Sequence, residues 1–382
     1  MTPRALTPIW ILTAAIFSLL LPSPCVRSAA NSQNLAEIRH LKSQIARQPA
    51  NIRANVSYQD LLLAAGRRAE VVEFYRQRLN ADPVNAASIY LYSRLLTDED
   101  ERLEHLERAY ALDREVFEIC VDLGRAYYHQ GDYDEAVARY KRAIRLRSTS
   151  AFARNLLGLA YYHKGYVDLA ISEYRQAIRI RDGFLDPYLN LGLTYYYTGK
   201  LDDAIGIYKQ ALKLPEAGKE KHRIYRNLGM AYARKGDDKK AEKAYLSALD
   251  LDPESADVYL SLGNLAFNRG DYAEATRSYE LAAKNGENNA RLHLKLGLSH
   301  FNLSDYGSAA THLGRSLDLD PTQIDARYYL GLAYFGDGEN QMARKALEAY
   351  VEREKRLSKN AVVYKAKLLL DDIDRKLIRE MY

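Results

Sequence analysis

The stretch that decides the fold lies at residues 123–143 and reads LGRAYYHQGDYDEAVARYKRA. It opens with a Leu-Gly pair, has a second glycine seven residues after the first, and ends on alanine, tyrosine and alanine at steps of four and three. Those steps place Ala136, Tyr140 and Ala143 on one face of a helix. The stretch therefore predicts two helices joined at Gly131, because glycine adopts the left-handed conformation that ends a helix at low cost.

The Leu-Gly pair recurs along the chain at an almost constant period. Its glycines are spaced by 34, 34, 37, 34, 34 and 34 residues. A fixed period of this size is typical of a solenoid, in which each unit buries its apolar face against its neighbours. The seven pairs are Leu123-Gly124, Leu157-Gly158, Leu191-Gly192, Leu228-Gly229, Leu262-Gly263, Leu296-Gly297 and Leu330-Gly331.

Other positions repeat in phase with the glycine. A tyrosine often stands three residues after it, a turn glycine or Ser304 stands seven after it, and an aromatic or leucine stands sixteen after it. Small and large side chains on facing helices predict close helix packing, and the glycine of each pair removes the bulk that would hold the helices apart. An alanine stands twelve residues after every one of these glycines, at Ala136, Ala170, Ala204, Ala241, Ala275, Ala309 and Ala343.

This pattern resembles the tetratricopeptide repeat, and the segment Gly131-Asp132-Tyr133-Asp134-Glu135-Ala136 is very similar to that family's typical sequence. The resemblance implies an all-α, right-handed superhelical solenoid of about nine antiparallel helix-pair units with a C-terminal capping helix. The predicted organisation is a signal peptide or anchor at 1–30, a half-unit helix at 31–51, two degenerate units at 52–116, seven clear units at 117–357 and a capping helix at 358–382.

Composition and charge exclude several classes of protein. Apolar residues make up 47% and charged residues 27% of the chain, which is typical of a soluble protein. The net charge is only +5, and basic and acidic residues are interspersed instead of forming runs, so we expect no nucleic-acid partner. Neither a phosphate-binding glycine loop nor a Cys-His grouping is present. We therefore expect no enzyme activity and no cofactor.

The first thirty residues differ from the rest. Arg4 precedes an apolar stretch at residues 9–21, and Ser28-Ala29-Ala30 follows Pro22 and Pro24. An apolar core of this length with small residues behind it predicts a secretory signal, whereas an uncleaved segment would anchor the chain in a membrane. We expect export, in a bacterium to the periplasm or envelope, with membrane association only if this segment is retained. Its removal would also remove Cys25 and leave Cys120 as the one thiol, on an apolar helical face.

The resemblance also implies a concave surface lined by the first helix of each unit, which in this family commonly holds a peptide or a helix. Residues three before, one after and four after each Leu-Gly glycine form a separate helical stripe there, which we call the groove stripe. It is mostly apolar and aromatic, with a polar interruption near Arg226 and Ala233, so we expect a partner's hydrophobic segment to dock on it. The predicted binding residues are Leu159, Tyr162, Leu189, Leu193, Tyr196, Leu260, Asn264, Phe267, Leu294, Leu298, Phe301, Tyr328, Leu332 and Phe335, with the strongest contribution from residues 260–335.

Two groups of polar residues are candidates for other binding sites, and the sequence supports each of them less well than the apolar groove. Asn190, Arg223 and Asn227 partly resemble the set with which some family members hold a C-terminal carboxylate, but Asn155 and Leu159 depart from that set. His129 and His163 occupy equivalent places in adjacent units without a third repeated ligand, so we expect no metal site.

The sequence therefore favours an exported, non-catalytic scaffold that binds a protein or peptide partner in envelope-complex assembly. The alternatives are a substrate-presenting subunit of an enzyme complex, such as a glycosyltransferase, and a cytoplasmic adaptor.

Overall fold

The computed structural model describes residues 24–354 and 360–381, and side chains at 35–354 and 361–379. The predicted signal core at residues 9–21 lies outside the described residues, as does the predicted boundary between the last unit and the capping helix at 357/358. Within the described residues, the regular elements are all helical. No helix among them is both long enough and apolar enough to cross a membrane.

Twenty α-helices follow one another in the part of the chain that the structure describes, and contacts divide the chain into two compact units, Met1–Ser148 and Thr149–Tyr382. The first unit contains α1 (Pro24–Arg47), α2 (Ile52–Ala64), α3 (Arg68–Ala81), α4 (Ala86–Ser93), α5 (Glu99–Leu112), α6 (Phe117–Gln130) and α7 (Tyr133–Leu146). The second contains α8 (Ala151–His163), α9 (Val167–Ile180), α10 (Leu185–Tyr197), α11 (Leu201–Ala211), α12 (Lys221–Lys235), α13 (Asp238–Leu249), α14 (Ala256–Asn268), α15 (Tyr272–Lys284), α16 (Ala290–Asn302), α17 (Tyr306–Leu319), α18 (Ile324–Gly336), α19 (Asn340–Arg353) and α20 (Asn360–Met381).

The helices come in pairs, as the period predicts. A 3-10 helix at Pro215–Glu220 stands between α11 and α12, where the glycine spacing lengthens to 37. The half-unit helix predicted at 31–51 corresponds to α1, which begins at Pro24, within the segment predicted as a signal, and ends at Arg47. In the second of the two degenerate units, the Asp98 side chain accepts from the Glu101 amide and begins α5.

The turn between paired helices has the predicted left-handed residue. Gly131, Gly165, Gly199, Gly236, Gly270 and Gly338 have φ values of 78° to 85°, and Ser304 takes the same region at 61°. At Gly131 the amide donates to Tyr128 O at 3.1 Å, and the following Asp132 amide donates to Tyr127 O at 2.9 Å. This pairing satisfies two carbonyls at the helix end. Asp132 then begins the second helix by accepting from the Glu135 amide.

Helix pairs are held by contact between the Leu-Gly glycine and a large side chain sixteen residues later. A Cβ atom at Gly158 would lie 2.7 Å from Cε1 of Tyr174, and one at Gly297 would lie 2.6 Å from Cγ of Leu313. The alanines twelve residues after each of these glycines are fully buried. The predicted small-to-large packing is therefore confirmed.

The core of the first unit contains buried polar side chains beside its apolar ones. Tyr58, Leu62, Val71 and Tyr75 are buried together, and the Tyr75 hydroxyl donates to Oδ1 of Asn55 at 2.8 Å. Gln59, also buried, donates to Leu91 O at 2.6 Å. These bonds satisfy polar groups that would otherwise be costly to bury.

Candidate partner-binding groove

The first helices of the second unit form one layer. Helix α10 contacts α8 and α12, α12 contacts α14, and α16 contacts α18. Helices α14 and α16 are joined at their side chains, because the Lys295 ammonium lies 5.0 Å from the centre of the Phe267 ring. All fourteen predicted binding residues stand on this layer.

The groove stripe is accessible but not fully exposed. Leu189 is buried, and the other thirteen predicted residues are half-buried. Most of the leucines and tyrosines on the packing face, such as Leu157 and Tyr161, are buried instead, whereas Leu262 and Leu330 are half-buried. Neighbouring side chains cover part of each groove residue.

Neighbouring aromatic rings fix the orientation of the groove aromatics. Phe267 meets Tyr272 edge-on with ring centres 5.3 Å apart, and Phe301 meets Tyr306 at 5.6 Å and Tyr329 at 5.7 Å. Edge-to-face contacts of this kind add about 0.5–1.5 kcal/mol beyond area burial. These rings are held in place before any partner arrives, which lowers the entropy cost of binding.

Cations stack on three of the groove aromatics. The Arg234 guanidinium lies 5.0 Å from the Tyr196 ring centre, Lys295 lies over Phe267, and the Lys376 ammonium lies 4.1 Å from the Phe335 ring centre. Sequence reasoning missed these cations, because Arg234 and Lys295 stand beside the stripe positions and Lys376 comes from α20. Burial and the nearby Arg291 lower the pKa of Lys295.

Helix α20 occupies one end of the predicted surface. Tyr328 and Phe335 pack against a cluster that includes Ala366 and Ile373 of α20. The part of the stripe outside that cluster runs from Leu159 to Phe301, together with Leu332.

Polar residues interrupt the stripe at α12, as predicted. Arg226 forms an ion pair with Asp257 on α14. Asn190 donates to Asn155 Oδ1 at 3.0 Å, and Arg223 pairs with Glu220 at 2.6 Å. Asn190 and Arg223, two members of the partial carboxylate-binding set, are thus engaged within the protein. Burial raises the pKa of the nearby Asp186 carboxyl.

Chemistry elsewhere in the described residues is sparse. They contain no cluster of three or more histidine, cysteine or acidic side chains arranged to hold a metal ion. A cleft of about 790 Å³ lies against the second helices α9 and α11 and is lined by Arg175, Arg179, Asp202, Asp203 and others. Its Arg175 donates to the Tyr195 hydroxyl at 2.6 Å.

Comparison with known families agrees with the repeat geometry. A TPR repeat model matches residues 124–165, and a tetratricopeptide repeat model matches 153–183. A further tetratricopeptide repeat model matches four overlapping segments at 189–256, 239–290, 260–324 and 294–361. Together these matches cover more than half of the chain. No curated protein matches the sequence.

Three solved structures share the fold. A tetratricopeptide repeat protein from Parabacteroides merdae has a TM-score of 0.52 at 16% identity, covering 65% of this chain and 98% of that one. PilW, described as a type IV pilus biogenesis factor, has a TM-score of 0.51 at 18% identity, covering 56% and 98%. The C-terminal part of a TPR repeat-containing protein from Cytophaga hutchinsonii has a TM-score of 0.50 at 21% identity, covering 64% and 98%.

Repeat period, turn geometry and glycine contacts thus agree with the family matches. The fold is that of a protein-interaction scaffold, and no enzyme family is indicated by these matches. The chain belongs to the tetratricopeptide repeat family.

Proposed function

We propose that this protein is an exported scaffold whose groove stripe binds an apolar segment of a partner protein during assembly of an envelope complex. One observation carries the binding part: half-buried apolar and aromatic side chains lie along the first helices α8 and α10, and again along α14, α16 and α18 beyond the polar interruption at α12. Apolar surface of this extent is typical of an interaction site.

The geometry favours a segment, helical or extended, over a small molecule. The predicted binding residues are distributed over five helices instead of enclosing a single cavity. Aromatic anchors such as Tyr196, Phe267 and Phe301 are spaced along it, and residues of this type commonly dominate interface energies. A partner that covers several of them gains from each ring whose remaining surface leaves water.

The binding site is tested by removing two central rings. Phe267→Ala with Phe301→Ala should weaken binding of the native partner about tenfold or more, because each truncation removes a packed anchor. The partner is identified by site-specific cross-linking from residue 264 in the native envelope, and its affinity is then measured by titration calorimetry. Phe335 is left intact because it contacts α20.

A matched control truncates apolar side chains on second helices. Leu246 on α13 and Leu319 on α17 are 51% and 41% exposed, so Leu246→Ala with Leu319→Ala removes comparable apolar surface away from the stripe. Equal loss of affinity in both double variants, or no loss in the phenylalanine variant, would contradict the groove assignment.

The proposal that the protein is exported rests on its N-terminal segment. Arg4, the apolar residues 9–21 and Ser28-Ala29-Ala30 are arranged as in a secretory signal. Cell fractionation with N-terminal sequencing tests this: we expect an envelope or periplasmic protein that has lost the segment before about residue 30. Recovery from the cytosol with Met1 or Thr2 at the N-terminus would instead support a cytoplasmic adaptor.

A further inference from the structure

Three histidine rings are stacked between α16 and α17. The His312 ring on α17 lies between His293 and His300 of α16, with both ring-centre distances at 5.4 Å and interplanar angles of 22° and 8°. Nδ1 of His293 is 3.1 Å from Nδ1 of His312. His300 is only 13% exposed, and the other two rings are half-buried.

The two nitrogens at 3.1 Å can be joined only by one shared hydrogen. A neutral imidazole carries hydrogen on one nitrogen and accepts on the other, whereas a charged imidazolium carries hydrogen on both. One of these rings must therefore keep an unprotonated Nδ1. When both rings are charged, two N–H groups and two positive charges oppose each other at this contact.

Two further ring nitrogens of the trio contact neighbouring residues. Nε2 of His293 lies 3.0 Å from Oδ1 of Asn288, in the connection between α15 and α16. Nδ1 of His300 lies 3.0 Å from Oδ2 of Asp305, whose other oxygen accepts from the Ser308 amide at the start of α17. Asp305 thus supplies a hydrogen-bonding carboxylate to His300.

The charged groups around the trio do little to favour a second proton. Arg315 on α17 repels a charge on His293, and Asp305 attracts one on His312. Helix α15 packs against α16, and helix α18 packs against α17. Within the described residues, the salt bridge of the trio joins Nδ1 of His300 to Oδ2 of Asp305. A second charge in the trio would therefore share the Asp305 carboxylate with the first.

We propose that His293, His300 and His312 form a proton-sensitive latch that holds α16 against α17 at neutral pH and releases it in mild acid. Helix α16 also carries Leu294, Leu298 and Phe301 of the groove stripe, so release displaces part of the binding surface. That second consequence rests on the proposed function, whereas the latch does not.

The direction of the pH effect follows from proton linkage. Burial lowers the pKa of His293 and of His312 below the ordinary value of 6.5; Arg315 adds to this at His293, and the other two rings add to it at His312, where Asp305 opposes it. The unfolded or opened state then binds more protons than the closed state as the pH falls below about 6.5. The stabilisation is complete above that pH and is lost progressively as the pH falls through the lowered pKa values.

The latch is tested on the full chain without any partner, by hydrogen exchange at about pH 7.5 and about pH 5.5, corrected for intrinsic exchange. We expect protection of the α16 and α17 peptides to fall severalfold in acid, because the opened state binds the additional protons. Peptides of α8 and α9 serve as the internal reference, because an arginine–glutamate pair stands at the corresponding place. Equal changes in both pairs of helices would overturn the latch.

The chain supplies its own matched control. The unit of α10 and α11 has Tyr188, Tyr195 and Ile207 at the same three repeat positions. The variant His293→Tyr with His300→Tyr and His312→Ile should keep α16 and α17 protected at both pH values. A wild-type acid response that persists in this variant would overturn the proposal.

A second measurement does not depend on that variant folding. Nitrogen-15 NMR of the wild-type imidazoles at about pH 7.5 should show hydrogen on Nδ1 of one ring of the His293–His312 pair and an unprotonated Nδ1 on the other. Two rings that titrate independently near pH 6.5 would overturn the latch. Because no partner is present, neither result bears on whether the groove binds one.

Discussion

The units around Gly158 and Gly297 fill the same three repeat positions with different chemistry. The first two positions lie four residues before and fifteen residues after the glycine. In the Gly158 unit they are Arg154 and Glu173, whose charged atoms are 3.0 Å apart and whose side chains are each 17% exposed. In the Gly297 unit they are His293 and His312. The third position, three after the glycine, is Tyr161 in one unit and His300 in the other.

This difference shows that the repeat fixes where the facing positions between paired helices lie, but not which residues occupy them. In both units the glycine of the first helix packs on a large side chain of the second, which sets the distance between the helices. Any pair that satisfies its polar atoms can then occupy the facing positions. An arginine–glutamate pair keeps its charges across the physiological range, whereas a histidine pair changes charge within it. Units with one fold can therefore respond differently to pH.

The largest expected effect concerns Cys120, which occupies in the Gly124 unit the position that Arg154 and His293 occupy in the other two units. Cys120 stands four before Gly124, and burial raises the pKa of its thiol to about 11. At about pH 8 its thiolate fraction is roughly 200-fold lower than that of an exposed cysteine with a pKa of about 8.5. We expect labelling by a thiol-specific disulfide reagent to be slower than that of an unfolded reference by at least this factor. A Cys25→Ser background isolates the signal, and rapid labelling of native protein would show that this position is open.

Removing one charged side chain from the Gly158 unit should lower local stability more than removing one histidine ring from the Gly297 unit. Arg154→Leu leaves Glu173 largely out of water without the guanidinium, and we expect a loss of about 2–3 kcal/mol in local stability at neutral pH. His312→Ala should cost about 1–2 kcal/mol. Hydrogen exchange of α8–α9 and α16–α17 measures both. The double variant Arg154→Tyr with Glu173→Ile, which copies the residue types that α10 and α11 carry at these positions, should recover much of the loss; a larger loss in it would contradict this interpretation.

Exchanging the pairs should exchange the pH response. His293→Arg with His312→Glu should make α16–α17 indifferent to pH between about 7.5 and 5.5, and Arg154→His with Glu173→His should make α8–α9 less stable in acid by about 1 kcal/mol. Protection ratios at the two pH values measure this. A response that stays with the original helices after the exchange would mean that other groups, such as His163, cause it.

The smallest expected effect lies on the groove side. Two before the glycine, the Gly158 unit has Leu156 and the Gly297 unit has Lys295, which stacks on Phe267. Lys295→Leu removes a cation–π contact worth about 0.5–1 kcal/mol but also a desolvated charge, so we expect a net change below about 0.5 kcal/mol. Thermal unfolding measures it. A loss above about 2 kcal/mol would show that Lys295 is a structural residue.

The sequence predicted the helix pairs well because their determinants are local. Steps of three and four residues identify the face that Ala136, Tyr140 and Ala143 bury, and the turn glycines mark the end of each first helix. Ser304 was predicted as a turn position from its phase alone, and it adopts the left-handed conformation there. The same periodicity predicts the groove stripe as a face distinct from the packing face.

The contacts across helices were less predictable. His293 and His300 are seven apart on one helix, so the sequence places them on one face. That His312 lies between them depends on the register of α17 against α16. Covering of Phe335 by Lys376 likewise depends on where α20 packs, more than forty residues further along the chain.

By itself, the sequence determined the repeat length, the pairing of helices, their buried faces and the composition of the groove stripe, because periodic patterns and turn residues act over a few residues. Tertiary structure alone decided which stripe residues α20 covers, which cations stack on the groove aromatics, and which polar side chains meet between paired helices. Those outcomes depend on the distance and register between helices, which the close contact of glycine with tyrosine or leucine sets in three dimensions.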